Sequence, residues 1–188
     1  MNKAVSPPPS PQEYLRRERL AKDKHEYYDG SVIALAGASL AHNRIVINII
    51  SAINSRLKDR PCEILPSDIR VTVPSGKAYM YPDATIVCGP PEMEDDKFDT
   101  LKNPRVIFEV LSHSTAAHDR GRKFLYYQQI PSFQEYILID STECWVEMSC
   151  RQKDGSWGSQ ANADPASYLA ISSIKASIPL QEVYRNVF

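Results

Sequence analysis

The sequence predicts an α/β chain, in the α+β sense, with a central mixed β-sheet flanked by helices. Three observations predict it. Two short apolar runs, Tyr81-Pro82-Asp83-Ala84-Thr85-Ile86-Val87-Cys88 and Pro104-Arg105-Val106-Ile107-Phe108-Glu109-Val110-Leu111-Ser112, have the length and the bounding prolines of buried strands. Over residues 40–58, Ile45, Ile49, Ile53 and Leu57 recur every four residues, the period of a helix with one buried face. The segments then follow as helix, hairpin, long helix, three strands, helix and further strands, an order that layers helices on a mixed sheet.

Taken in order, residues 1–9 include Pro7-Pro8-Pro9 and no periodic pattern, and read as a flexible, extended tail. Residues 10–188 read as a single domain. Ser10-Pro11-Gln12-Glu13 supplies an N-cap, a proline at the first helical position and a glutamate at the capping-box position, so a short helix with solvated arginines is expected to about Leu20. Tyr27-Tyr28 and Val32-Ile33-Ala34-Leu35 flank Asp29-Gly30, a two-residue hairpin turn. The long helix carries His42 and Asn43 in its first turn and ends at Asp59-Arg60-Pro61.

Residues 62–73 read as a strand broken at Pro66-Ser67, after which Ile69, Val71 and Val73 alternate with Asp68, Arg70 and Thr72. Ser75-Gly76-Lys77 turns the chain into the first apolar run, and the acidic stretch Glu92-Met93-Glu94-Asp95-Asp96 after it reads as a solvated loop. A helix is expected over 116–129, with Phe124, Leu125 and Tyr126 packed on the sheet. Strands follow over 134–140 and 143–151, then an edge strand over 168–171 and a short helix over 179–184.

An aspartate at the mouth of one core strand and a glutamate inside its neighbour put Asp83 and Glu109 side by side at the edge of a hydrophobic layer, which is costly without a partner. A hard divalent cation is one such partner, because Mg2+ accepts one or two carboxylates together with waters and phosphate oxygens. Lys123, on the helix that follows, can reach back over the strand ends and offset developing negative charge. Its alternative is an ordinary i,i+4 ion pair with Asp119. His113 and His118 stand near the site, where a metal or general-base role competes with that of ordinary loop histidines.

Pro82-Asp83, Glu109-Val110-Leu111-Ser112 and Asp119-Arg120-Gly121-Arg122-Lys123-Phe124 resemble the signature of the Uma-type restriction endonucleases, a branch of the PD-(D/E)xK nuclease superfamily expanded in cyanobacteria. His25-Glu26-Tyr27-Tyr28-Asp29-Gly30, His42-Asn43, Ser67-Asp68-Ile69-Arg70-Val71 and Pro131-Ser132-Phe133-Gln134-Glu135-Tyr136 resemble further blocks in the same order, over roughly residues 10–185. The superfamily lysine belongs two residues after the glutamate, where this chain has Leu111, so the resemblance gives that role to Lys123.

The resemblance implies a restriction-endonuclease-like core and metal-dependent hydrolysis of phosphodiesters, in DNA by family. Asp83, Glu109 and the Val110 carbonyl would hold Mg2+ or Mn2+. It also implies that Glu26 and Asp68 approach the site. An exposed glutamate at a strand start and an Asp68–Arg70 pair are the alternatives for those two. His42 at a helix N-terminus, and Arg120 and Tyr127 on the helical face of Lys123, are the candidate substrate-binding residues; for His42 a structural hydrogen bond is the alternative. A homodimer is expected, since cutting both strands of a duplex suits two related sites.

Composition narrows the classes. With 43% hydrophobic and 24% charged residues the chain is ordinary globular material. No apolar stretch approaches the ~20 residues that span a bilayer, and the proline-rich start is not a secretory signal, so a cytoplasmic protein without membrane contact is expected. The four cysteines have no CxxC spacing and read as reduced core residues. A net charge of −1 is unusual for a protein that holds phosphates by charge alone. That charge and Leu111 favour a competing reading, a catalytically silent nuclease-fold module that binds nucleic acid or a protein. A metal-free, carboxylate-pair glycosidase would want aromatics around its cleft, and here they fall in core patterns. The scattered glycines argue against P-loop and dinucleotide-binding sites.

Overall fold

A bent hairpin that belongs to two sheets sets the architecture. In the computed structural model, which describes residues 7–112 and 116–188, the elements run α1 (Pro11–Glu18), β1 (His25–Tyr28), β2 (Ser31–Ala34), α2 (Leu40–Leu57), β3 (Cys62–Pro66), β4 (Arg70–Thr72), β5 (Ala78–Met80), β6 (Ala84–Cys88), β7 (Thr100–Leu101) and β8 (Val106–Leu111). There follow α3 (Ala116–His118), a π-helical turn (Asp119–Lys123), α4 (Phe124–Tyr127), β9 (Glu135–Asp140), β10 (Val146–Arg151), β11 (Trp157–Asn162), β12 (Tyr168–Ile171), a 3-10 turn (Ser172–Ile174), β13 (Ala176–Pro179) and α5 (Leu180–Val183).

The larger sheet has the order β11-β10-β9-β8-β6-β3, and the second β2-β1-β5-β4-β7. Only β8 and β9 pair parallel in the larger sheet, as strands joined by a helical crossover do. The other pairs there are antiparallel, so the sheet is mixed, with helices on its faces. The hairpin of residues 62–88 enters with β3, crosses to the second sheet as β4 and β5, and returns as β6. Its return bend is Tyr81-Pro82-Asp83. Proline has no N–H for a ladder, and that breaks the strand at this place.

All six residues of β8 are buried, so the run reads as continuously apolar rather than alternating. Period two still sorts its side chains. Phe108 and Val110 pack with Ile45, Ile49 and Ile53 of α2, whereas Ile107 and Leu111 pack with Tyr127, Phe133 and Tyr136. Glu109 therefore projects on the Tyr127 side. The α2 helix begins at the Ser39 cap, which accepts the His42 N–H.

Several expectations are corrected. Residues 8 and 9 are held rather than free: Pro8 packs on the Asp29-Gly30 turn and Tyr27 donates to the Pro9 carbonyl. Residues 1–6 lie outside the described residues. The acidic loop is pinned, because Arg19 pairs with both Asp95 and Asp99 at 2.8 Å. Cys62 and Cys88, opposite each other across β3 and β6, form a disulfide, while Cys144 and Cys150 are free. The strand over 168–171 is no edge of the main sheet but pairs with β13 in a two-stranded sheet. No helix among the described residues is long and apolar enough to cross a membrane.

Candidate active site

The strand break places Asp83. Pairing of β6 with β8 ends at Ala84↔Phe108. Beyond it the Asp83 N–H donates to the Phe108 carbonyl at 3.1 Å, and the Val110 N–H, which has no β6 backbone left to meet, donates to Asp83 Oδ2 at 2.7 Å. His42, from the first turn of α2, brings Nε2 to 3.1 Å from the same oxygen. One helix, α2, and two strands, β6 and β8, thus converge on the bend.

On the Tyr127 side of β8 lies Lys123, buried at 4% exposure. Its Nζ is 2.8 Å from Glu109 Oε1, 3.1 Å from Glu26 Oε1 and 3.6 Å from Asp119 Oδ1, and it donates to the Tyr81 carbonyl at 3.5 Å. These carboxylates are themselves held. Glu26 accepts the Tyr28 hydroxyl at 2.7 Å and the Tyr81 N–H at 2.9 Å, and Glu109 accepts the Tyr127 hydroxyl at 3.1 Å. Tyr136 donates to the Asp119 carbonyl at 3.0 Å, which fixes the π turn on the sheet. Single π turns inside helices recur at functional sites.

One ammonium among three buried carboxylates leaves an excess of negative charge. Burial pushes the Glu109 carboxyl well above the usual carboxylate range, Lys123 works against that, and Asp119, Asp83 and Glu26 push it further up. Burial also opposes the charge on Lys123, but Glu109, Glu26 and Asp119 outweigh it and hold the ammonium well above its ordinary range. The hydroxyls of Tyr28 and Tyr127 are raised, first by burial and then by the carboxylates they touch. Burial lowers His118, whose Nε2 is 2.9 Å from the Tyr28 hydroxyl.

Protons or a cation can relieve this excess. Among the described residues, Asp83 Oδ1 and Glu109 Oε2 accept no hydrogen bond. Among those residues no three His, Cys, Asp or Glu side chains group as a metal cage. The two oxygens are of the donor type that a hard ion takes when water and substrate complete its shell.

The expected residues part company here. Asp83, Glu109, Lys123 and Glu26 fall in or beside the cluster; Glu26, 2% exposed, is no surface glutamate. Asp68 is not brought to it: its side chain is 83% exposed and pairs with Lys24 at 2.6 Å, because the Pro66–Arg70 bend turns it outward. Nor does it pair with Arg70, which is buried on Asp99, Thr100 and Tyr81. Arg120 faces Glu147 at 3.8 Å and the Trp145 ring, away from Lys123. Tyr127 is fully buried on Glu109, so it does not belong to an exposed phosphate-directed stripe. His42 reaches Asp83. The Val110 side chain is core, and its amide serves Asp83. His113 lies outside the described residues. Tyr28 was missed; its signal was the two-residue spacing from Glu26, which puts both on one face of β1.

Several known proteins are similar to this chain. The uncharacterized protein slr1290 of Synechocystis sp. is 34% identical over 184 residues, 98% of this chain and 95% of its own length. A second uncharacterized Synechocystis protein, sll1609, is 39% identical over 145 residues, 77% of this chain and 82% of its own. The crystal structure of "a putative nuclease belonging to DUF820" from Anabaena variabilis, 19% identical, has the same fold, with a TM-score of 0.79 over 96% of this chain and 100% of that one. The family model Uma2, described as "Putative restriction endonuclease", matches residues 11–178, and the chain belongs to that family.

Proposed function

We propose that this protein is a cytoplasmic endonuclease that hydrolyses phosphodiester bonds in DNA, with Mg2+ or Mn2+ as cofactor and two copies acting as a homodimer. The observation that supports it most is the buried Lys123 ammonium held 2.8 Å from Glu109, beside a strand break that carries Asp83. The family description supports nucleic acid as the substrate class. Asp83 and Glu109, with the Val110 carbonyl, would be the donors for the ion. When bound, it supplies polarisation of the phosphate and a lowered pKa for its water.

The chain's own groups do the rest. Lys123 is charged at every physiological pH and offsets the negative charge that grows on the phosphorus oxygens. Glu26 has both oxygens engaged, by Tyr28 on one side and by Tyr81 and Lys123 on the other, so it positions Lys123 rather than a water. His42 and the Val110 N–H fix one Asp83 oxygen, and the other would be the one to hold the ion.

The test is cleavage of supercoiled and linear DNA in Mg2+, Mn2+ or EDTA by the wild type and by Asp83→Asn and Glu109→Gln, which preserve side-chain shape. Metal-dependent nicking that disappears in both variants is the expected result. A folded wild type that cuts no substrate and binds no metal by calorimetry contradicts the proposal and leaves the nuclease-fold binding module.

A further inference from the structure

The buried cluster poses a problem for any phosphodiester that approaches it, because the side chains it holds are mostly carboxylates and Lys123 is already surrounded by three of them. A polyanion needs a cation on the solvent side. Two arginines of the π turn could supply one. Arg120 is occupied, 3.8 Å from Glu147 and stacked on Trp145. Arg122 is exposed and has no hydrogen bond or ion pair among the described residues. It is nevertheless fixed, with its guanidinium carbon 4.8 Å from the centre of the Tyr28 ring.

That ring joins Arg122 to the site. The Tyr28 hydroxyl donates to Glu26, Glu26 faces Lys123, and Lys123 faces Glu109, at 2.7, 3.1 and 2.8 Å. His118 touches the same hydroxyl, and burial lowers its pKa, so the cation set against this ring is the Arg122 guanidinium. A guanidinium can lie on an aromatic face and still present its N–H edge to phosphate oxygens, which a lysine ammonium does less well.

We propose that Arg122, seated on Tyr28, binds a backbone phosphate of the DNA substrate beside the Lys123 cluster. The assignment rests on the nuclease reading and deepens it. It moves the phosphate contact from Arg120 to Arg122. It also explains how a chain of net charge −1 can hold a polyanion, through a few placed charges rather than a basic surface.

The experiment measures binding of a fluorescently labelled DNA duplex to the full chain over a range of salt, in EDTA and again with Ca2+, for wild type, Arg122→Gln, Arg122→Lys and Arg120→Gln. Losing one phosphate contact makes the slope of log K against log salt shallower by about 0.9. Arg122→Gln is expected to show that change, with a Kd raised on the order of tenfold, as for loss of one charged hydrogen bond. Arg122→Lys is expected to keep the slope and recover part of the affinity. A wild type that binds and cuts DNA while Arg122→Gln keeps its slope and Kd overturns the assignment and leaves the nuclease reading intact. The same holds if Arg120→Gln takes the loss instead. A wild type that binds no DNA in either buffer overturns the assignment together with the DNA reading.

Discussion

Replacing Lys123 by methionine keeps the apolar stem and removes the ammonium. Glu109, Glu26 and Asp119, which stood 2.8, 3.1 and 3.6 Å from it, then face one another with side chains no more than 6% exposed. Breaking a buried pair by deleting one partner costs about 3–5 kcal/mol. In a chain of this size each kcal/mol moves Tm by about 2–4 °C, so the loss at pH 7.5 is on the order of 6–20 °C. The pH dependence carries a sign. A carboxyl whose folded pKa is raised, as burial raises that of Glu109, contributes stability that is full below about 4.5 and is lost as pH rises through the folded value. Without the ammonium this raising grows, so the gap between variant and wild type narrows near pH 5. Thermal unfolding followed by circular dichroism at both pH values reads this directly. A loss under about 3 °C at pH 7.5, or an equal loss at both, refutes the reasoning.

Other consequences are independent of catalysis. In the wild type the raised pKa of Lys123 contributes stability that is full below 10.5 and falls as pH rises past it, so urea midpoints should decline in that range and Lys123→Met should not share the decline. Asp99 is held well below the carboxylate range, first by Arg19 and then by Arg70; Asp99→Asn should cost about 1.5–3 kcal/mol at pH 7, and the difference should close as pH falls through 3.8 and below. The Cys62–Cys88 link joins residues with a sequence separation of 26 and is worth about 3.5 kcal/mol by loop entropy. Alkylation without reductant should therefore modify only Cys144 and Cys150, and reduction should lower the urea midpoint. Ile53→Ala, at a fully buried position of α2, should cost about 2–5 kcal/mol in urea unfolding.

The strands of the site were legible because their signals are local. Pro82 breaks a ladder wherever it sits, and the all-apolar run around Glu109 reads as a doubly covered strand without knowledge of its neighbours. The Asp29-Gly30 turn was legible for the same reason, and both residues have positive φ. The π turn was not legible, since nothing in Asp119-Arg120-Gly121-Arg122-Lys123 distinguishes it from an α-helix. An α-helical face groups Arg120, Lys123 and Tyr127, whereas tertiary packing buries Asp119, Lys123 and Tyr127 and turns Arg120 away. Asp68 was misplaced because alternation was carried through a bend, where period two no longer holds. The disulfide depends on the register of β3 against β6, which opposes Cys62 to Cys88 over 26 residues of separation, and cysteine spacing carries no trace of it.

The proposed metal site joins the Asp83 and Glu109 carboxylates beside Lys123. Anomalous diffraction from crystals grown in Mn2+ tests it most directly. A single strong peak in contact with both carboxylates is expected, with Lys123 still on Glu109 or Glu26, and no peak in Asp83→Asn crystals. A peak elsewhere, or density at the two carboxylates that shows no metal while the protein remains folded, contradicts it.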